Sequence, residues 1–176
     1  VTMAATHTLA GVGVTFANGK HMLSLFNGAG SGRVLRVYRA WMLNNQTAAV
    51  TGVLTTMALR KTSAQSGGTA ISPVKHDSAS ASLVAQVLAA AGATVTNTAD
   101  VQFRTWMWSN DEPAASTATN DEMECLIPLN CIFDATGDSN IEPITLRPGE
   151  GVTMQHSGTS AVGVADLFIE FTDAAT

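Results

Sequence analysis

Cysteine is nearly absent from this 176-residue chain: Cys125 and Cys131 are the only two, too few for a disulfide-built scaffold. On one extended strand they would lie roughly 20 Å apart at about 3.3 Å per residue, beyond bridging reach. A bridge therefore needs the segment between them to fold back at Pro128, and two buried free thiols are the expected state. Charge is scarce as well. Charged residues make up 13% of the chain, with Lys+Arg 9 against Asp+Glu 14 and a net charge of -5, where about 25% charged is ordinary. Few cations and a negative balance argue against a broad nucleic-acid surface, which needs Lys and Arg to neutralise phosphates. No apolar run approaches the roughly 18 residues of a membrane-spanning helix. The opening stretch from Val1 to Lys20 has neither a charged n-region nor an apolar h-region, so it is not expected to act as a secretory signal. Wholesale disorder is excluded in turn, because 45% of the residues are hydrophobic.

What is present is frequent turn punctuation between short β-prone runs, and the length suits a single domain over residues 1–176. Gly11 to Phe16 leads into Asn18-Gly19, a hairpin-type dipeptide, and His21 to Phe26 reads as the returning strand. Arg33 to Leu43 is a strand with mixed faces, Leu35, Val37, Trp41 and Leu43 sharing one parity with Arg39. Val50 to Arg60 is a further strand, rich in Val, Thr and Leu. Thr62 to Ser82 reads as a long loop, and Leu83 to Ala91 as either a short helix stopped by Gly92 or a strand. Strands follow at Val101 to Trp108 and Met123 to Phe133, the latter interrupted by Pro128. Ile144 to Leu146 and Val152 to Gln155 flank the turn Arg147-Pro148-Gly149-Glu150-Gly151 as a second hairpin-like unit. The last strand, Gly163 to Thr172, alternates most cleanly: Ala165, Leu167, Ile169 and Phe171 against Asp166, Phe168 and Glu170. About eight strands with intervening loops and at most one short helix predict an all-β antiparallel sandwich of jelly-roll type, with a barrel as the alternative that the same few-helix, many-turn pattern fits, and with residues Val1 to Thr6 as an N-terminal arm.

Few motifs carry chemistry. His76-Asp77-Ser78 holds the residue types of a catalytic triad, but neighbours on one loop do not converge as a triad must, so a polar loop is expected. No Gly-x-Ser-x-Gly elbow occurs. The four histidines, His7, His21, His76 and His156, lack the spacing of a zinc site. Asp134, Asp138, Asn140 and Glu142 cluster on a turn, but Pro143 stands where an EF-hand loop begun at Asp138 needs its glycine. Gly28 to Gly32 lacks the spacing of a dinucleotide site and is read as a flexible connection. The sequon Asn45-Gln46-Thr47 matters only in a secreted eukaryotic chain. No metal, cofactor or catalytic residue is expected. The acidic run Asp111-Glu112 through Asp121-Glu122-Glu124 is read as a solvated face.

The candidate site lies elsewhere. Trp106 and Trp108 share a strand parity with Arg104 and Gln102. Large rings beside polar groups suit three roles: one face of a core strand, a protein interface enriched in Trp and Arg, or a sugar-stacking platform. Phe168, on the outward parity of the last strand between Asp166 and Glu170, adds to the interface reading. Arg104, Trp106, Trp108 and Phe168 are thus the candidate interface residues.

Three stretches carry a family resemblance: Arg60-Lys61-Thr62-Ser63-Ala64-Gln65-Ser66-Gly67-Gly68-Thr69 with Pro73-Val74-Lys75-His76-Asp77, then Pro143 to Gly151, then Leu167-Phe168-Ile169-Glu170-Phe171. With them the chain resembles small β-sandwich structural proteins of tailed bacteriophage virions, of the head-decoration or auxiliary-capsid type. The resemblance implies a non-enzymatic protein of the virion, assembled in the bacterial host cytoplasm, that forms homo-oligomers and docks on other subunits such as the major capsid protein. A tail or fibre component is the alternative within that class, and a carbohydrate-binding sandwich or adhesin using Trp106 and Trp108 is the alternative outside it. Low charge and mixed-polarity strand faces agree with a surface occupied by neighbours, since burying apolar area contributes about 25 cal/mol per Å² and repetition multiplies each contact.

Overall fold

The computed structural model describes residues 4–44, 54–109, 131–137, 140–157 and 163–175. Among them the chain forms strands and turns but no helix. The strands are β1 (Ala5–Thr15), β2 (His21–Asn27), β3 (Arg33–Asn44), β4 (Leu54–Ser66), β5 (Thr69–Ala70), β6 (Val74–Lys75), β7 (Val87–Ala91), β8 (Thr94–Ser109), β9 (Cys131–Asp134), β10 (Ile144–Leu146), β11 (Glu150–His156) and β12 (Val164–Ala175). One sheet runs β10-β3-β12-β1-β6, with β9 also on β3; the other runs β5-β7-β2-β11-β4-β8. All pairings are antiparallel.

This is a β-sandwich, and its strand order is that of a jelly roll. Taking β1, β2, β3, β4, β8, β10, β11 and β12 as the principal strands, the first, last, third and sixth lie side by side in one sheet. The second, seventh, fourth and fifth lie side by side in the other. The inward faces meet in one core. Leu9, Leu23, Leu25, Leu35, Val37, Met57, Leu59, Leu146, Val152, Met154, Leu167, Ile169 and Phe171 are all fully buried, each such side chain contributing about 1.5–3 kcal/mol of burial.

Both expected hairpins prove to be corners between sheets. A turn does form at Asn18-Gly19, where Gly19 has φ +70° and the Lys20 N–H donates to the Ala17 carbonyl at 3.1 Å. It joins β1 of one sheet to β2 of the other, however. The turn at Arg147 to Gly149 likewise carries the chain from β10 in the first sheet to β11 in the second. Glu150 fastens that corner: its carboxylate accepts from the Arg147 N–H at 2.9 Å and from the Lys61 ammonium at 2.6 Å. Burial raises the Glu150 carboxyl, but these hydrogen bonds and charges outweigh it and hold the group below its ordinary value. Local turn chemistry bends the chain in both cases. Which strand is met next is decided by burial across the sandwich, which turn residues do not encode.

Further differences concern extent. The expected loop from Thr62 to Ser82 instead continues β4 to Ser66 and contains β5 and β6. Of the two readings of Leu83 to Ala91, the strand holds, as β7, because Val87 to Ala90 pair with Ser24 to Asn27 of β2. Ala5 and Thr6, read as part of an arm, are already in β1, opposite Asp173 and Thr172. The reading of Met123 to Phe133 as a strand, the Cys125–Cys131 question, the sequon and the acidic run from Asp111 to Glu124 fall wholly or mainly outside the described residues; of the first, only Cys131 to Phe133 are described, in β9.

The β4–β8 hairpin doubles back over its own sheet. Thr62 lies opposite Gly151, which lies opposite Phe26. Four residues further on, Ser66 pairs with Thr94, and the neighbouring Ala93 bridges His21 at the other end of β2. The hairpin tip has therefore returned along the sheet, through irregular pairings between Leu59 and Ala64. Both faces of β2 and β11 are consequently covered: Ser24 and Thr153 are fully buried and share a 2.7 Å hydroxyl hydrogen bond. On the same side the Asn97 amide donates to the Gln155 side-chain oxygen at 3.1 Å.

Candidate functional site

The outer face of the β1–β12–β3 sheet carries one of the four candidate residues, Phe168. In β3, Val37 pairs with Phe171 and Arg39 with Glu170, leaving Tyr38 as an extra residue, a β-bulge. A bulge reverses the side-chain parity beyond it. Leu35 and Val37 point into the core, and so do Ala40 and Met42, whereas Arg39, Trp41 and Leu43 face outward. Trp41, read from sequence as sharing a face with Leu35 and Val37, is thus on the opposite face.

There it meets Phe168. The two residues are direct partners in the β12–β3 register, and their rings stack at 5.0 Å with 12° between planes. Both are half-buried. The adjacent row on this face is charged. Arg39 pairs with the Asp134 carboxylate at 3.3 Å and the Glu170 carboxylate at 3.8 Å. Hydrogen bonds from the Thr136 hydroxyl and backbone N–H, with a further one from Arg39, hold the Asp134 carboxyl below its ordinary value. An aromatic pair beside one arginine shared by two carboxylates is a surface with hydrophobic contact area and a single excess negative charge.

The other candidate residues lie elsewhere. Arg104, Trp106 and Trp108 are on β8, the edge strand of the opposite sheet, with Leu59, Met57 and Thr55 as respective partners. Arg104 is exposed; Trp106 is half-buried against the core, with its indole N–H buried and unpaired among the described residues. Phe103 also packs against the core, although its parity differs from that of Trp106. A register shift explains this: Leu59 pairs with Arg104 and Arg60 with Gln102, so Phe103 is the extra residue. The structure therefore does not bring Phe168 together with the β8 residues. It brings it together with Trp41, which sequence parity missed because nothing local marks the bulge at Tyr38.

The remaining polar motifs make local contacts. The His76 Nε2 and the Thr8 hydroxyl share a hydrogen bond at 2.7 Å, Asp77 accepts from the Ala79 N–H at 2.9 Å, and the Ser78 carbonyl accepts from Lys75 at 3.1 Å. Among the described residues no group of three or more His, Cys, Asp and Glu side chains is placed to hold a metal ion. His7 stacks on Phe171 at 5.3 Å and His156 on Phe16 at 5.1 Å, where the His156 Nδ1–H donates to the Ala17 carbonyl at 3.0 Å.

Burial pushes His7, His21 and His156 below the ordinary histidine value of 6.5. Around His7, Asp173 opposes this shift and His76 and Lys75 add to it; at His21, Arg60 adds to it; at His156, the Ala17 carbonyl opposes it. The folded state thus binds fewer protons than the unfolded one just below pH 6.5, so stability is intact at neutral pH and falls as pH drops through that value. Asp134 and Glu150 have lowered values and shed their contribution only in the more acidic carboxylate range. Urea midpoints measured between about pH 7.5 and 5.5 should decline steadily; a flat or rising midpoint over that window contradicts the assignment.

Against protein-family models, curated proteins and solved structures, the chain finds no match.

Proposed function

We propose that this chain is a non-enzymatic structural protein of a bacteriophage virion, in the first instance a capsid-decoration or auxiliary head protein. It acts by packing against copies of itself and against other virion subunits such as the major capsid protein. The reading rests on the resemblance of the three sequence stretches named above, and jelly rolls are an architecture of capsid domains as well as of lectins. The single observation that favours an assembly role is the Trp41–Phe168 row on the outer sheet face, flanked by the Arg39 ion pairs. Trp is among the residues that dominate interface energetics, and charges already paired within one subunit need no partner across the contact. A tail or fibre position is the second reading within this class. The carbohydrate alternative draws less support, since Trp106 rests half-buried against the core instead of presenting a free ring.

Sedimentation velocity on the wild type and on Trp41→Ala and Phe168→Ala tests it. The wild type should self-associate, and each variant should weaken association by about 30-fold or more, the size of an interface hot spot. A cross-strand aromatic pair that serves its own sheet alone would lower the melting temperature and leave association untouched. A wild type that stays monomeric at about 100 μM, far above the Kd of a standard interface, overturns the proposal.

A further inference from the structure

The sequence contains Asn-Gly twice, at Asn18-Gly19 and at Asn27-Gly28, and the fold treats the two pairs oppositely. Asn18 and Gly19 form the turn between β1 and β2, and both are exposed. Gly19 has φ +70°, and among the described residues neither its N–H nor the Asn18 amide has a hydrogen-bond partner. The Gly19 carbonyl, by contrast, accepts from the Gln155 side-chain amide at 3.1 Å. Asn27 is fully buried at the end of β2, and its amide nitrogen donates to the carbonyls of Arg33 at 2.8 Å and Leu146 at 3.0 Å. The Gly28 N–H is committed as well, donating to the Gln86 carbonyl at 2.9 Å.

Asparagine is a thermolabile residue, and a following glycine leaves its nitrogen open to reaction because no Cβ crowds the approach. In such a pair the glycine nitrogen attacks Cγ of the asparagine. An N–Cγ bond forms, the Cγ–Nδ2 bond breaks, and ammonia leaves with the proton that the glycine nitrogen gives up. Water then opens the cyclic imide at one of its two C–N bonds. Opening at Cγ leaves aspartate; opening at the main-chain carbonyl carbon leaves isoaspartate, with one further carbon in the main chain. Neither step changes an oxidation state, and water is the sole co-reactant. Attack requires a free nitrogen, a free leaving amide and an unhindered side chain, all of which Asn18-Gly19 has and Asn27-Gly28 lacks. We propose that Asn18 is a deamidation site of the folded protein, that Asn27 is shielded from the same reaction, and that the isoaspartyl product loosens the corner between the two sheets. That corner is closely tied. The Ala17 carbonyl accepts from the Lys20 N–H at 3.1 Å and from the His156 ring at 3.0 Å, and the Lys20 carbonyl accepts from the His156 N–H at 2.9 Å. An extra main-chain carbon between Ala17 and Lys20 displaces these partners. The site does not depend on the assembly role, which uses Trp41 and Phe168.

Incubation in mildly alkaline buffer followed by peptide mass mapping compares the two pairs within one chain, in the folded protein and in concentrated urea. Unfolded, the pairs share one dipeptide and should convert at comparable rates. Folded, Asn18 should become a mixture of aspartate and isoaspartate, while Asn27 should react slower by about a hundredfold or more, because its reaction waits for the structure to open. Asn18→Gln should abolish the early ammonia release of the folded protein. The isoaspartyl fraction, separated chromatographically, should show a lower urea midpoint than fresh protein, whereas Asn18→Asp, with an ordinary main chain, should keep the midpoint of fresh protein. The proposal is overturned if Asn18 reacts in urea but not in the folded protein, if Asn27 converts as fast as Asn18 in the folded protein, or if the isoaspartyl fraction unfolds at the midpoint of fresh protein.

Discussion

Gly151→Ala is expected to cost at least about 3 kcal/mol of folding stability, a large share of the roughly 5–15 kcal/mol that a domain commonly has. Gly151 sits in β11, in the centre of a sheet covered on both faces. A methyl group added there would run into the Thr62 hydroxyl and would lie 2.7 Å from both the Leu25 carbonyl oxygen and the Phe26 ring. The Leu25 oxygen belongs to the neighbouring strand, so relief requires the β11–β2 ladder itself to part. The same substitution at Gly137, where added carbon would meet nothing within 4 Å and φ is not in the left-handed region, should change stability by no more than about 0.5 kcal/mol. Chemical denaturation of the two variants measures the contrast. Thr62→Ala in the Gly151→Ala background should restore only a minor part of the loss, because it leaves the Leu25 carbonyl in place. Full rescue would show that the hydroxyl alone sets the constraint, and equal behaviour of Gly137→Ala and Gly151→Ala would mean that the outer face of the sheet is not closed by the returning hairpin.

That closure shows where sequence reasoning reached its limit. The alternation of β12 was legible because every second residue from Ala165 to Phe171 is apolar and the strand has a ladder on both sides. The all-β class was legible from the density of turns, which fits a sandwich or a barrel alike; the strand order that makes this a jelly roll was not. Nor were strand partners. Asn18-Gly19 and Arg147-Pro148-Gly149 mark bends correctly, but a bend is compatible with a hairpin or with a corner between sheets, and only distant packing chooses. Parity failed at single residues for the same reason. The bulges at Tyr38 and Phe103 exist because partner strands skip them, and partners lie far away in sequence. One unpaired residue was enough to move Trp41 from the apparent core face to the outer one, and with it the candidate surface moved from the β8 tryptophans to the Trp41–Phe168 pair.

Phe171→Ala should be the most damaging single truncation in the first sheet, and it also isolates the part played by His7 in acid sensitivity. Phe171 is fully buried, lies opposite Val37 on one side and His7 on the other, and stacks on the His7 ring. Removing a buried phenyl from a close-packed interior costs about 3–5 kcal/mol, through lost transfer energy and the void left behind; Phe171→Leu, which keeps most of the volume, should cost less than half as much. In the wild type, the low affinity of His7 for a proton comes first from burial. Opening a void beside the ring admits solvent and lets its value rise toward the unfolded one. The difference in proton binding between the folded and unfolded states then shrinks, and with it the decline of stability below pH 6.5. Urea unfolding of both proteins at about pH 7.5 and 5.5 should show a large loss for Phe171→Ala at the higher pH and a smaller further loss on acidification than the wild type suffers. A wild-type-like acid decrement in Phe171→Ala would transfer the effect to His156 and His21, whose rings the substitution does not touch. A loss below about 1 kcal/mol at neutral pH would mean that the two sheets close over the missing ring, and that His7, not Phe171, sets their spacing at this edge.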